Sequence, residues 1–363
     1  MAQRVTTTAV AITGPGVRSL PAVKLIDATI VRNVWSRALA LLLLLALLLT
    51  SASSADPLVH TYSIVARDPA TGEIGVAVQS HWFSVGAIVS WAEAGVGAVA
   101  TQSFVDPGYG ERLLALLKRG VAPAEALAQL LAADPQRDVR QVAVVDSSGR
   151  VAVHTGSKAI AAAGHQSGEG YSVQANLMGN AQVWPAMASA FESASGDFAD
   201  RLLAALEAAQ HVGGDIRGQQ SAAILIVKPK SSGRPWSGAD RVFDLRVDDH
   251  PQPLAELKRL VRLQRAYNHA NRGDELMSEK KVDEALREYA AAAEIAPEIV
   301  ELPFWHAVTL ASLGREAEAR PLFVKVFEKE PVWAELVERL PAAGLLPEDQ
   351  ALIQRIVALK PKR

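Results

Sequence analysis

The chain has 363 residues, a formal net charge of −2 and 6% aromatic residues. That length accommodates about two domains once a leader is set aside, and the near-neutral balance excludes a large basic field for nucleic acid. There is no cysteine, which excludes disulfides, thiolate catalysis, lipoprotein acylation and cysteine metal sites.

Residues 1–31 lack apolar periodicity and read as a leader. Residues 38–49 form an uninterrupted alanine and leucine run, with Arg32 and Arg37 before it and Ser53-Ser54-Ala55 after it. A membrane-spanning helix needs about 20 apolar residues. This run is shorter, so it reads as a signal peptide cleaved after Ala55, with an uncleaved membrane anchor as the alternative. The expected mature chain begins near Asp56 and is secreted or periplasmic.

Residues 61–67 alternate and are rich in β-branched and aromatic types, which predicts a strand. Asp68-Pro69-Ala70-Thr71-Gly72 is a turn, and 73–80 is the return strand. Residues 84–101 read as further glycine-spaced strands. Helices are predicted over 108–118 and 123–133, the second with Pro123 in its first turn. Residues 141–146 and 151–155 form a second hairpin about Ser147-Ser148-Gly149-Arg150. Residues 182–194 and 197–211 are helical, with Leu202, Leu203 and Leu206 on one face. Gly213-Gly214 ends the second of these. Residues 221–227 form a buried strand, and 241–248 a last one. Hairpins imply antiparallel pairing, so two stacked sheets covered by helices fit better than a doubly wound parallel sheet.

From residue 254 the chain turns helical and strand signals stop. Gly273, Leu276, Ala285, Tyr289, Ala292 and Pro297 recur as Ala307, Leu310, Ala319, Phe323, Val326 and Pro331 at a spacing of 34 residues. That is the period of tetratricopeptide repeats. Flanking helices at 254–266 and 333–341 are expected to cap the pair. An unrelated helical bundle is the alternative. The resulting division is a leader over 1–55, an α/β domain over 56–253 and a helical domain over 254–363.

Four segments carry a resemblance to a known family. They are Thr61-Tyr62-Ser63-Ile64-Val65-Ala66-Arg67-Asp68, Gly95-Val96-Gly97-Ala98-Val99-Ala100-Thr101-Gln102, the stretch from Gly213 to Ala223, and Asp244-Leu245-Arg246-Val247-Asp248-Asp249-His250-Pro251. Over about residues 60–260 the chain resembles domain of unknown function 1028, assigned to the N-terminal-nucleophile (Ntn) hydrolase superfamily. The resemblance implies an α+β fold: an Ntn-hydrolase-like αββα sandwich, here followed by an all-α tetratricopeptide-like domain. It supplies no substrate. Members can carry a helical C-terminal extension described as peptidoglycan-binding.

In Ntn enzymes the first residue of a strand supplies both the attacking side chain and the base, its own α-amine. Thr61 is the candidate. A free α-amine has a pKa near 8, so a useful fraction is neutral at pH 7, and it could take the hydroxyl proton and return it to the leaving group. The competing reading is a β-branched strand starter. Cleavage after Ala55 leaves residues 56–60 in front of Thr61, so a second cut is required. Proteasome-like relatives also use an early lysine, and none occurs here between Thr61 and Lys118. Arg67, His81, Glu93, Asp68 and Glu73 are the only early ionisable replacements.

Asn176 and Gln102 are the candidate oxyanion donors, with turn capping as the alternative for the asparagine and for its neighbour Asn180. Ser63, Asp215, Arg217, Gln220 and Ser221 are the candidate substrate-binding residues. Glycines let backbone N–H groups approach a ligand, and Arg217 can hold a carboxylate with paired hydrogen bonds. The alternative is an Asp215–Arg217 pair that pins the loop. Asp244, Arg246, Asp248, Asp249 and His250 read as a salt-bridge network fastening the last strand to the Arg217 loop, since Arg246 is unfavourable beside a metal ion. No metal and no cofactor is expected. His81, His154 and His165 lack ligand spacing. Trp82 and Trp91 read as core residues.

The leading expectation is an exported amidohydrolase acting on a small or cell-wall-derived amide. The alternative is a non-catalytic ligand-binding or scaffold protein. The helical repeats would offer a protein or peptide partner a concave surface. No nucleic-acid partner is expected, and the resemblance leaves a homodimer open.

Overall fold

The computed structural model describes residues 58–59, 61–234 and 238–361. The leader, the signal-peptide run and its cleavage point lie outside the described residues. No helix among the described residues is long and apolar enough to cross a membrane.

Among the described residues eleven strands form two sheets. The first holds β1 (Leu58–Val59), β4 (Ser90–Glu93), β5 (Gly97–Phe104), β6 (Arg140–Asp146) and β7 (Val151–Thr155), in the order β1-β5-β6-β7 with β4 also on β5. The second holds β2 (Thr61–Arg67), β3 (Ile74–Ser80), β8 (Gly164–Gly168), β9 (Tyr171–Ala175), β10 (Ser221–Val227) and β11 (Arg241–Val247), in the order β11-β10-β3-β2-β9-β8. Every pairing is antiparallel, as the predicted hairpins require.

Alternation along the strands sorts side chains into layers. Val65, Ile74, Val76 and Val78 of the second sheet meet Ala98, Ala100, Ala143 and Val145 of the first. The opposite face of the second sheet, with Tyr62, Ile64 and Ile224, packs on α4 (Val183–Ser193) and α5 (Phe198–His211) through Met187, Phe191, Leu202 and Leu206. The opposite face of the first sheet, with Val99, Val142 and Val144, packs on α2 (Gly108–Lys118) and α3 (Pro123–Ala133) through Leu113, Leu117 and Leu127. The layers therefore run helices, sheet, sheet, helices, and the overall class is mixed α+β.

Two segments differ from the expectation. Residues 84–101 are not strand throughout: a single turn, α1 (Gly86–Val89), precedes β4. The chain must cross the end of the sheet here. Gly86 lets it pass so close that a Cβ would lie 2.4 Å from the Ala223 Cβ. The hairpin β8–β9 was also not foreseen. Gly164–Gly168 is polar and glycine-rich, and Tyr171–Ala175 has only five residues, so neither carries a strong strand pattern.

The C-terminal region is helical: α6 (Pro253–Ser278), α7 (Val282–Ile295), α8 (Glu301–Ser312), α9 (Glu316–Lys329), α10 (Trp333–Val337) and α11 (Gln350–Val357). The expected capping helix at 254–266 and the first repeat helix are one continuous element. Its first half sends Leu254, Leu257 and Val261 into the core on the second sheet. Leu276, near its other end, joins the core of the helical region with Phe304, Phe323 and Phe327. At Gly273 the helices approach closely, and a Cβ there would sit 2.5 Å from the Tyr289 ring.

Candidate functional site

Thr61 opens β2 next to β9 and β3. Parity places Tyr62 and Ile64 on the helix side, so Thr61 and Ser63 face the other sheet. Thr61 is fully buried. Its Oγ1 donates to Ser80 Oγ at 3.1 Å. Its carbonyl oxygen accepts from Asn176 N at 3.1 Å, Gln102 Nε2 at 3.2 Å and Asn176 Nδ2 at 3.4 Å. The structure thus brings Thr61, Gln102 and Asn176 together from β2, β5 and the residue after β9.

These contacts belong to a buried amide network between the sheets. Gln102 Nε2 and Asn176 Nδ2 both donate to Gln141 Oε1, at 2.7 and 2.9 Å. Gln141 Nε2 donates to the Ala175 carbonyl at 2.9 Å, and to Thr155 Oγ1 at 2.9 Å. Ser63 Oγ donates to Gln102 Oε1 at 2.7 Å and accepts from Gln174 Nε2 at 2.6 Å. Gln102, Gln141, Gln174, Asn176 and Ser63 are all fully buried. Such groups must be partnered; Gln102, Gln141 and Asn176 bond from one sheet to the other, while the Gln174 amide bonds within its own sheet. Thr155 Oγ1 and His165 Nδ1, 2.9 Å apart, carry the network to the surface. Burial, and then the neighbouring His154, lower the His165 pKa below the usual imidazole value.

This geometry changes several expected roles. The side-chain N–H groups of Gln102 and Asn176 are engaged with Thr61 and Gln141, so here they position the strand rather than face an incoming oxyanion. Ser63 lies inside the network, buried and bonded to Gln102 and Gln174. Asp215 is buried and holds the loop: Oδ1 accepts from Arg217 N at 2.9 Å and Arg217 Nε at 3.0 Å, and Oδ2 accepts from Arg217 Nη2 at 2.7 Å and His81 N at 3.1 Å. This is the loop-pinning pair. Ser221 is buried, donates to the Trp82 carbonyl and accepts from Val85 N at 3.1 Å, which staples the 82–85 turn. Gln220, just before β10, donates to Asp249 Oδ1 at 3.2 Å and so ties this loop to the segment after β11. Arg217 and Gln220 keep part of their surface in solvent.

The carboxylates near the last strand pair within it and with the segments beside it. Asp244 pairs with Arg241 and, at 3.6 Å, with Arg246. Asp248 accepts from Ser84 Oγ at 2.6 Å. Among the described residues no group of three or more His, Cys, Asp or Glu could hold a metal ion. Asn180 caps a turn by accepting from Gln182 N at 2.8 Å. Trp82 and Trp91 pack on the cores.

Three features of the site were not singled out in the sequence. Gln141 and Gln174 are polar residues at the inward parity of apolar strands, and that signal could have found them. Ser103 is the third. It ends the regular part of β5 with φ 72°, a conformation uncommon for a residue with a Cβ. Its buried hydroxyl has no hydrogen-bond partner among the described residues. Ser103 pairs with Val59 of β1. The chain therefore leaves the first sheet at Val59 and enters the second at Thr61.

The family of unknown function DUF1028 matches residues 61–257, more than half of the chain, and this chain belongs to that family. A solved protein of Silicibacter pomeroyi, described as a DUF1028 protein, is similar at 33% identity with a TM-score of 0.50. The similarity covers 55% of this chain and 84% of that one. No curated protein matches.

Proposed function

We propose that this chain is an exported amidohydrolase of the N-terminal-nucleophile type, acting on a small or cell-wall-derived amide. The observation that carries the reading is Thr61: the first residue of a central strand, directed between two stacked sheets, with its carbonyl gripped by three N–H groups. The layer order of helices, sheet, sheet, helices supports it, because the Ntn sandwich has the same order. Removal of the residues before Thr61 would free its α-amine. That amine takes the Oγ1 proton, Oγ1 attacks the amide carbon, and the C–N bond breaks as the leaving nitrogen receives the proton. Water then hydrolyses the resulting ester. Gln102, Asn176 and Gln141 are positioning residues, and Arg217 and Gln220 are the candidates for substrate contact.

The decisive measurement is the intact mass and N-terminal sequence of the protein recovered from its native compartment. A chain that starts at Thr61 is expected, with turnover of an amide panel that Thr61→Ala abolishes and Thr61→Ser retains in part. A mature chain starting near Asp56 would sink the proposal.

One observation favours a second reading, a ligand-binding or scaffold module. Thr61 is fully buried and its hydroxyl is tied to Ser80, a closed arrangement with no role for turnover. In either reading we assign the helical region a tetratricopeptide-like role in holding a protein or peptide partner. The close approach of Gly273 to Tyr289 and the burial of their 34-residue counterparts Ala307 and Phe323 in the same helical core support it. Peptidoglycan binding rests on the family resemblance alone.

A further inference from the structure

A cleft of about 640 Å³ lies between the α/β body and the helical region, a volume in the range of small-molecule sites. Phe198, Val242 and Phe243 form its apolar floor, the 68–73 turn one wall and α6 another. It lies at the Arg67 end of β2. The seven residues of that strand separate it from Thr61, a distance of about 20 Å at the usual rise. The site is therefore independent of any Thr61 chemistry.

The charges around the cleft are paired with one exception. Arg201 Nη1 meets Asp68 Oδ1 at 3.2 Å, and its guanidinium lies 4.4 Å over the Phe191 ring. Arg265 binds Asp197 at 2.6 Å and Asp200 at 2.8 Å. His269 Nδ1 meets Glu288 Oε2 at 2.6 Å, and Arg272 meets Glu275 at 2.9 Å. Glu73 has no such partner: among the described residues no cationic nitrogen lies within 4.0 Å of its carboxylate. It is partly buried. Burial raises its pKa, the Thr71 hydroxyl opposes this, and the Asp68 and Asp197 carboxylates add to the rise. Glu73 is thus the lining carboxylate without a cation on it, half-desolvated at the wall of the cleft, where a bound cation would offset the cost of burying its charge.

We propose that this cleft binds a small organic molecule through a primary ammonium group seated on the Glu73 carboxylate, with its apolar part on Phe198, Val242 and Phe243. A metal ion is disfavoured, because Asp68 and Asp197 are already engaged by arginines. The cleft needs both the family-wide α/β body and α6 of the helical region, so the docked helix completes the site.

The test is calorimetric titration of the full chain with 1,5-diaminopentane, and with 1,5-pentanediol as the uncharged control. The diamine is expected to bind and the diol not to. Glu73→Gln should weaken diamine binding by roughly tenfold or more, the scale of one lost charge-assisted contact. Asn268→Trp, which fills the cleft from α6 and leaves Glu73 intact, should weaken it as well. The absence of diamine binding up to about 10 mM, weaker than a useful site, would overturn the proposal. So would equal affinity for Glu73→Gln, or undiminished binding to Asn268→Trp.

Discussion

The two ends of β2 are built on opposite principles. At Thr61 the polar groups are fully buried and bonded to one another, so the end is rigid and closed. At the other end Glu73 is partly solvated, Arg265 of α6 pairs with Asp197 and Asp200 of the α/β body, and these groups surround open space. The first arrangement holds atoms in fixed places but must be opened before it can meet a ligand. The second is open already and trades precision for access. A buried polar network suits positioning, and an open cleft with one unpaired carboxylate suits the binding we propose for it.

The sharpest way to break this contrast is Gln141→Leu. It takes the Gln141 acceptor away from the Gln102 and Asn176 donors in a buried interface, and should cost about 3 kcal/mol. Chemical denaturation would read it as a lower midpoint with an unchanged slope. A loss below about 1 kcal/mol would mean that the network does not hold the sheets together.

Gly273→Ala tests the helical side. The new Cβ meets the Tyr289 ring, whose hydroxyl donates to Asp274 Oδ1 at 2.7 Å. Overpacking should cost about 2 kcal/mol, and helix propensity should return about 1 kcal/mol. The net loss of about 1 kcal/mol should appear in hydrogen exchange of α6 and α7 and leave β2 and β9 protected.

Glu73→Gln sharpens the contrast through pH. The Glu73 pKa is raised in the folded chain, so its protonated form stabilises the fold. That contribution is complete below the ordinary carboxyl pKa and is lost as pH rises through the raised value. The variant should therefore melt a degree or two higher, at about pH 7, and match the parent near pH 4, as thermal scans across that interval would show. Lys258→Ala is the smallest case. Its exposed pair with Glu207, 2.9 Å apart, links α5 to α6, yet exposed pairs contribute little. The melting temperature should move by less than about one degree.

Much of the frame was legible in the sequence. Alternation in Thr61–Arg67, the apolar run within residues 141–146 and the flanking turns were enough for the hairpins, because side-chain pattern and burial are directly linked in a strand. What alternation cannot show is a partner. Asp215, Ser63 and Ser221 are residue types that bind substrates, and here each is consumed by a contact distant in sequence. Gln141 and Gln174 were passed over for the same reason, since an amide in an apolar strand acquires meaning only when the facing sheet is known. The β8–β9 hairpin escaped because its burial is imposed by α4 and β2 rather than by its own pattern.

Helix α6 has a mechanical consequence. Its 26 residues make a rod about 39 Å long, clamped at one end in the core of the sandwich and at the other in the core of the helices. A rod clamped at both ends does not act as a hinge. A force applied to the helical region by a bound partner would be carried as torque along this beam to β11. The cleft beside it would then change width by twisting rather than by swinging open.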